Sequence, residues 1–305
     1  MHKKQIQVIG YASCYGARDQ RCDTGPLTLK NLRLVEQLNN VNFDAQWSIV
    51  HWAENPARKQ RPLATSDTLA LVTQVCTKLA KQTHAAIETG KLIVVIGGDH
   101  SSAIGTWSGV STALSAQVNP QTLGLIWIDA HMDSHTMHTS LSGAIHGMPV
   151  ASLLGYGDSN LTQIMSAENK ICPENLCLIG IRSFEPAEAE LLNALGVKIF
   201  YMQDIREHGF ADILKQAKAH VTQNSDRFGL SLDLDAIDPD DAPGVGSREN
   251  HGISGKSLIK ALKNTDFGHN FIGIEVAELN SRRDHVDKTA RLAIESIVAC
   301  LSPAP

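Results

Sequence analysis

Several absences in the 305-residue sequence narrow its function before any motif is considered. No apolar run approaches the ~20 residues needed to span a bilayer. The N-terminal MHKKQIQVIGYASC has no signal-peptide core. A soluble, cytoplasmic protein without a membrane partner is expected. Positive charge is in the minority, with 27 Lys+Arg against 32 Asp+Glu and a net charge of -5. Nothing gathers it into a patch, so a nucleic-acid partner is not expected. Six cysteines (Cys14, Cys22, Cys76, Cys172, Cys177, Cys300) form no CxxC pair. A chain of this length buries a large core without disulfides, so reduced, mostly buried thiols are expected and a structural zinc site is not. There is no GxSxG and no HExxH, and Gly97 to Gly105 does not make GxGxxG. Gly255-Lys256-Ser257 resembles the end of a P-loop, but its required first glycine falls on Asn250. Nucleotide binding, serine hydrolysis and zincin chemistry are thereby demoted.

What is present is a repeating alternation. Short runs rich in Ile, Val and Leu recur at 6–10, 47–52, 92–98, 123–130, 176–181, 197–201, 228–236 and 271–276. They do not alternate with polar residues, which is how parallel strands covered on both faces read. Helical candidates lie between them at about 26–39, 65–90, 186–195, 209–223, 254–264 and 284–301. Such alternation predicts a doubly wound parallel sheet with helices on both faces. With no repeat or linker-like segment, one domain spanning 1–305 is expected. The longest irregular stretches are 11–25, 52–64, 133–146 and 239–252. In an open parallel sheet, loops at the carboxyl ends of strands build the ligand site.

Four of these strand ends carry acidic residues or histidines. LIVVIGG runs into Asp99-His100, LGLIWI into Asp129-Ala130-His131-Met132-Asp133, FGLSL into Asp233-Leu234-Asp235, and FIGI into Glu275. On an extended backbone, alternate residues share a side, so Asp129, His131 and Asp133 should converge, as should Asp233 and Asp235. Carboxylates at the ends of buried strands are costly if unpaired, and no Lys or Arg lies within these motifs. Divalent cations are the better partner. Asp129, Asp133, Asp233 and Asp235 supply four negative charges, enough to neutralise two such ions, with His100 and His131 as neutral ligands. Oxygen-dominated coordination with one imidazole per ion favours Mn²⁺, with other divalent metals left open.

GGDHS (97–101), DAHMD (129–133) and SLDLDAIDP (231–239) resemble, in order and spacing, the three signature motifs of the ureohydrolases, the arginase/agmatinase/formimidoylglutamase family. The resemblance implies a three-layer α/β/α fold with a central parallel sheet of eight strands. It also implies a binuclear manganese centre and a homo-oligomer, usually a trimer or hexamer. Carried over by position, His100 and Asp133 would bind the first ion and His131 and Asp235 the second, with Asp129 and Asp233 bridging. Hydroxide held by the ions would attack a guanidinium carbon, releasing urea and an amine. Glu275 matches the family's substrate-binding glutamate and His146 its proton shuttle. Asp99 and Asp238 are expected to orient ligands from behind.

The substrate is a small guanidino or amidino compound. The spacing from Asp133 to His146 resembles that of arginases. Ser140 and Ser142 fall where arginases direct hydroxyls toward the substrate carboxylate. Glu185 and Glu188 fall near arginase carboxylates that surround the α-amino group. Departures also occur: His135 and Ala144 replace asparagines, and Ser183 replaces an aspartate. His135 is a candidate contact for the carboxylate in its cationic form. Arginase activity ranks first. Agmatinase, guanidinobutyrase and formimidoylglutamase activities, and a catalytically silent binding protein, are the alternatives. The histone-deacetylase-like branch is disfavoured because paired Asp clusters imply two metals.

Overall fold

The structure is a computed structural model that describes residues 3–18, 21–51 and 65–302. The expected loop 52–64 lies outside the described residues, as do Asp19 and Gln20 of the 11–25 stretch. Eight strands form the sheet: β1 (Lys4–Ala12), β2 (Phe43–His51), β3 (Leu92–Ile96), β4 (Leu123–Ile128), β5 (Leu176–Ile181), β6 (Lys198–Tyr201), β7 (Arg227–Asp233) and β8 (Phe271–Ala277). Their spatial order is β2-β1-β3-β8-β7-β4-β5-β6, and every pairing is parallel.

Both faces are covered, as the unbroken apolar runs require. Val94 and Ile96 of β3, Ile126 and Ile128 of β4, and Leu230 and Leu232 of β7 point into one core. Helices at Gly25–Asn31, Leu34–Asn40, Phe210–Val221, Gly255–Asn264 and Lys288–Leu301 close that side. Ile93, Val95, Leu125 and Trp127 point the other way, against helices at Thr65–Glu88, Ser102–Ser115 and Pro149–Leu153. The result is the expected three-layer sandwich. No helix among the described residues is long and apolar enough to cross a membrane.

Three local expectations are corrected. The single helix expected at 26–39 is two, broken where Arg33 takes a left-handed conformation (φ 63°). Helix Ser102–Ser115 was not anticipated, because it is buried nearly all round and shows no amphipathic stripe. Gly109 brings it against Thr65–Glu88; a Cβ there would stand 2.1 Å from the Ala80 carbonyl oxygen. Finally, extended backbone stops at Ile128 and Asp233, so alternation does not aim the residues beyond them. Leu234–Ala236 is a 3₁₀ turn, and Asp133 is left-handed (φ 49°).

Candidate metal centre

The four central strands in space, β3, β8, β7 and β4, bring the acidic motifs together at their carboxyl ends. Short local bonds aim the side chains there. Asp129 Oδ1 accepts the His131 N–H (2.8 Å), and Asp233 Oδ1 accepts the Asp235 N–H (2.8 Å). Each turn thereby directs one carboxylate oxygen along its own chain and leaves the other facing inward. Asp129 Oδ2 takes a bond from the Trp127 indole (2.9 Å), whose ring stacks on His100 at 4.2 Å. Trp127 had no place among the expected site residues; its bulk read simply as part of an apolar strand.

Two clusters share Asp129: His100, Asp129 and Asp233 form one, and Asp129, His131 and Asp235 the other. His100 Nδ1 lies 3.2 Å from Asp129, 3.0 Å from Asp133 and 3.0 Å from Asp233. His131 Nδ1 lies 3.5 Å from Asp129 and 3.3 Å from Asp235. The geometry therefore gathers all six expected ligands. Burial and mutual repulsion act on the carboxylates. Burial and then Asp129 hold Asp133 up at about 6. Asp233 is raised further by burial, Asp235 and Asp129. Asp129 is lowered, because His100 and His131 outweigh its burial.

Two buried atoms test whether cations fit here. His100 Nδ1 makes no hydrogen bond despite three carboxylates at about 3 Å, and Asp235 Oδ1 is buried without a partner. Unsatisfied acceptors converging in a buried site are costly unless a cation sits among them. The donor set, rich in carboxylate oxygen with one imidazole per cluster, suits a hard or borderline divalent ion.

Behind the ligands, Glu275 corrects its expected role. It lies inside β8, two residues before the strand ends, so its side chain stands on the sheet face against Ser102–Ser115 and is fully buried. Its oxygens accept bonds from Ser102 Oγ (2.5 Å), Trp107 Nε1 (3.0 Å) and Ser231 Oγ (3.0 Å). A carboxylate enclosed in this way cannot grip a guanidinium. Because Ser231 donates to Glu275, its oxygen accepts the His100 Nε2–H (3.0 Å), which leaves the Nδ1 lone pair facing the aspartates.

The carboxylate that does reach the centre from the end of β8 is Glu278, which the sequence reading passed over. Its Oε1 accepts the backbone N–H of His100 (3.0 Å) and bonds His146 Nδ1 (3.0 Å), and its Oε2 accepts the Cys22 thiol (3.4 Å). Glu278 is left-handed (φ 67°), a conformation that costs a non-glycine residue about 1–3 kcal/mol and persists chiefly at functional sites. Burial disfavours a charged His146, but Glu278 outweighs it and lifts the imidazole to about 9.

Asp99 is buried and organises the neighbouring loop. Its oxygens accept N–H groups of Gly16 (2.7 Å), Ala17 (3.0 Å) and Ser101 (3.0 Å), and burial raises it to about 6. Gly98 lets that loop approach, since a Cβ there would stand 1.8 Å from the Ser13 carbonyl oxygen. Asp238 accepts the Asp240 and Gly252 N–H groups (both 3.0 Å), pinning the loop after β7.

Further out, His135 Nε2 bonds Glu185 (2.7 Å) and lies 3.4 Å from Glu188. Glu188 is buried, accepts the Ser134 and Glu185 N–H groups (both 3.0 Å), and is raised by that burial to about 8. Ser140 and Ser142 sit on the loop that leads into His146. They bond each other (3.3 Å) and accept the Gly143 and Ala144 N–H groups, so their hydroxyls also shape the turn.

A model of the arginase family matches residues 4–302. The arginase of Bacillus caldovelox is 34% identical to this chain, over 95% of this chain and 96% of its own length. The crystal structure of the arginase from Bacillus cereus superposes with a TM-score of 0.89 at 33% identity, covering 98% of this chain and 99% of that one. The formimidoylglutamase of Bacillus subtilis strain 168 shares the fold, with a TM-score of 0.74 at 21% identity over 99% of this chain and 87% of its own.

Proposed function

The chain belongs to the arginase family, and on that premise we propose that it hydrolyses the guanidino group of L-arginine to urea and L-ornithine. The observation that carries this reading is the pair of His/Asp clusters sharing Asp129, buried except for the half-buried His131. His100, Asp129, Asp133 and Asp233 would hold one Mn²⁺, and Asp129, His131, Asp233 and Asp235 the second. When bound, such a pair neutralises the four aspartates and activates water for attack at neutral pH.

The remaining steps belong to the chain's own side chains. Glu278 supplies the anion that meets the guanidinium, in place of the enclosed Glu275. His146 is bound to Glu278 through Nδ1 and is held protonated near pH 7, so its Nε2 end hands a proton to the departing amine. Glu185 and Glu188 receive the substrate's ammonium end, and Ser140, Ser142 and His135 its carboxylate. The working form is a single-domain protomer in a homo-oligomer, a trimer or hexamer, which light scattering would measure.

One observation favours a second reading, another guanidino or amidino substrate. His135 is already engaged by Glu185, and it stands, like Ala144, where arginases use an amide to read the carboxylate. A missing hydrogen bond to a charged group is worth roughly 1.5–3 kcal/mol, enough to change substrate preference. Urea release from L-arginine, agmatine and guanidinobutyrate, with and without added Mn²⁺, decides between them. The expected result is manganese-dependent turnover greatest with L-arginine. Higher kcat/KM on either other compound rejects arginase.

A further inference from the structure

Both metal-facing histidines must keep a lone pair on Nδ1, so each needs an acceptor for its Nε2–H. For His100 the acceptor is Ser231, backed by Glu275. For His131 the group at Nε2 is Glu249 Oε1, 3.6 Å away, from the loop after β7. We infer that Glu249 is the positioning residue of the second ion: its carboxylate attracts the Nε2–H of His131 across that gap and so turns Nδ1 toward Asp129 and Asp235.

Two further features surround Glu249. The Ser183 side chain lies beside its carboxylate. Ser183 is the position where the sequence departs from the aspartate expected of arginases, so a carboxylate missing from the loop after β5 is supplied here by another loop. Arg182 fixes that loop relative to the ligands. Its guanidinium donates to the carbonyls of Glu249 (2.9 Å) and Asn250 (3.1 Å), and to those of Asp235 (2.7 Å) and Ala236 (3.2 Å). One cation thus ties the Glu249 backbone to the turn that carries the second ion's aspartate. The Glu249 side chain is 34% exposed, so its removal leaves no buried hole.

The inference rests on the two-ion reading, and calorimetric titration of the metal-free protein with Mn²⁺ separates the two. Wild type is expected to bind two ions per chain; one ion or none overturns the two-ion reading itself. With two ions in wild type, Glu249→Ala is expected to weaken the second by roughly 10–100-fold with the first unchanged. Glu249→Gln, which keeps an acceptor oxygen and the side-chain length, should lose less. Ser183→Asp added to Glu249→Ala should recover most of the lost affinity, a rescue that a merely structural loop residue would not give. Circular dichroism confirms that each variant is folded. Two ions bound as tightly in Glu249→Ala as in wild type would overturn the inference, as would equal weakening of both.

Discussion

His146 joins a proton to a fixed orientation. Its imidazolium is stabilised by Glu278 against the cost of burial, so its folded pKa, about 9, lies above its ordinary value. The sign follows: the stability it contributes is present below about pH 6.5 and is lost as pH rises through about 9. In chelator-treated protein, denaturant unfolding should show wild type more stable than His146→Ala at pH 6, with the gap closing by pH 10. In the manganese-loaded protein the same substitution should lower kcat by roughly 10²–10⁴-fold with metal content unchanged. Equal loss of metal would make His146 a ligand. At this scale the motifs were legible because four aspartates and two histidines follow apolar runs. Glu275 and Glu278 were confused because both lie near the end of one run. Only the positions of the strand end and of the left-handed residue decide which faces the centre, and neither is written in residue type.

Between elements, the contact of Ser102–Ser115 with Thr65–Glu88 depends closely on fit. Gly109 faces the backbone of Ala80 and the Thr83 hydroxyl at distances no Cβ tolerates. Gly109→Ala should therefore force the helices apart and cost about 1–3 kcal/mol despite the better helix propensity of alanine. Thermal unfolding measures this, and a neutral or stabilising result would refute the close packing. The features that make this helix essential also hid it. Its glycines, serines and threonines are poor helix signals, and a helix covered on every side has no polar face to set a period. The eight strands were legible for the opposite reason, since burial on both faces leaves an unbroken apolar run.

For the whole molecule, the candidate metal centre would couple folding to ion binding. Its ligands come from the ends of three different strands, and in the unfolded chain they are scattered and bind weakly. Manganese at 100 times its dissociation constant should raise the unfolding free energy by about 2.7 kcal/mol per ion, and chelation should lower the melting temperature. A melting temperature indifferent to manganese would contradict ligands held only by the fold. The layered architecture was legible from strand–helix alternation; the strand order was not, because it depends on long-range pairing that no local pattern encodes. That order bears on how the protein is made. The strands synthesised last, β7 and β8, occupy the middle of the sheet, between β3 and β4. A nascent chain can assemble β2-β1-β3 and β4-β5-β6 as separate halves, but their inner edges have no partner until translation reaches the residues that join them. Those edges are then open to mispairing with other chains.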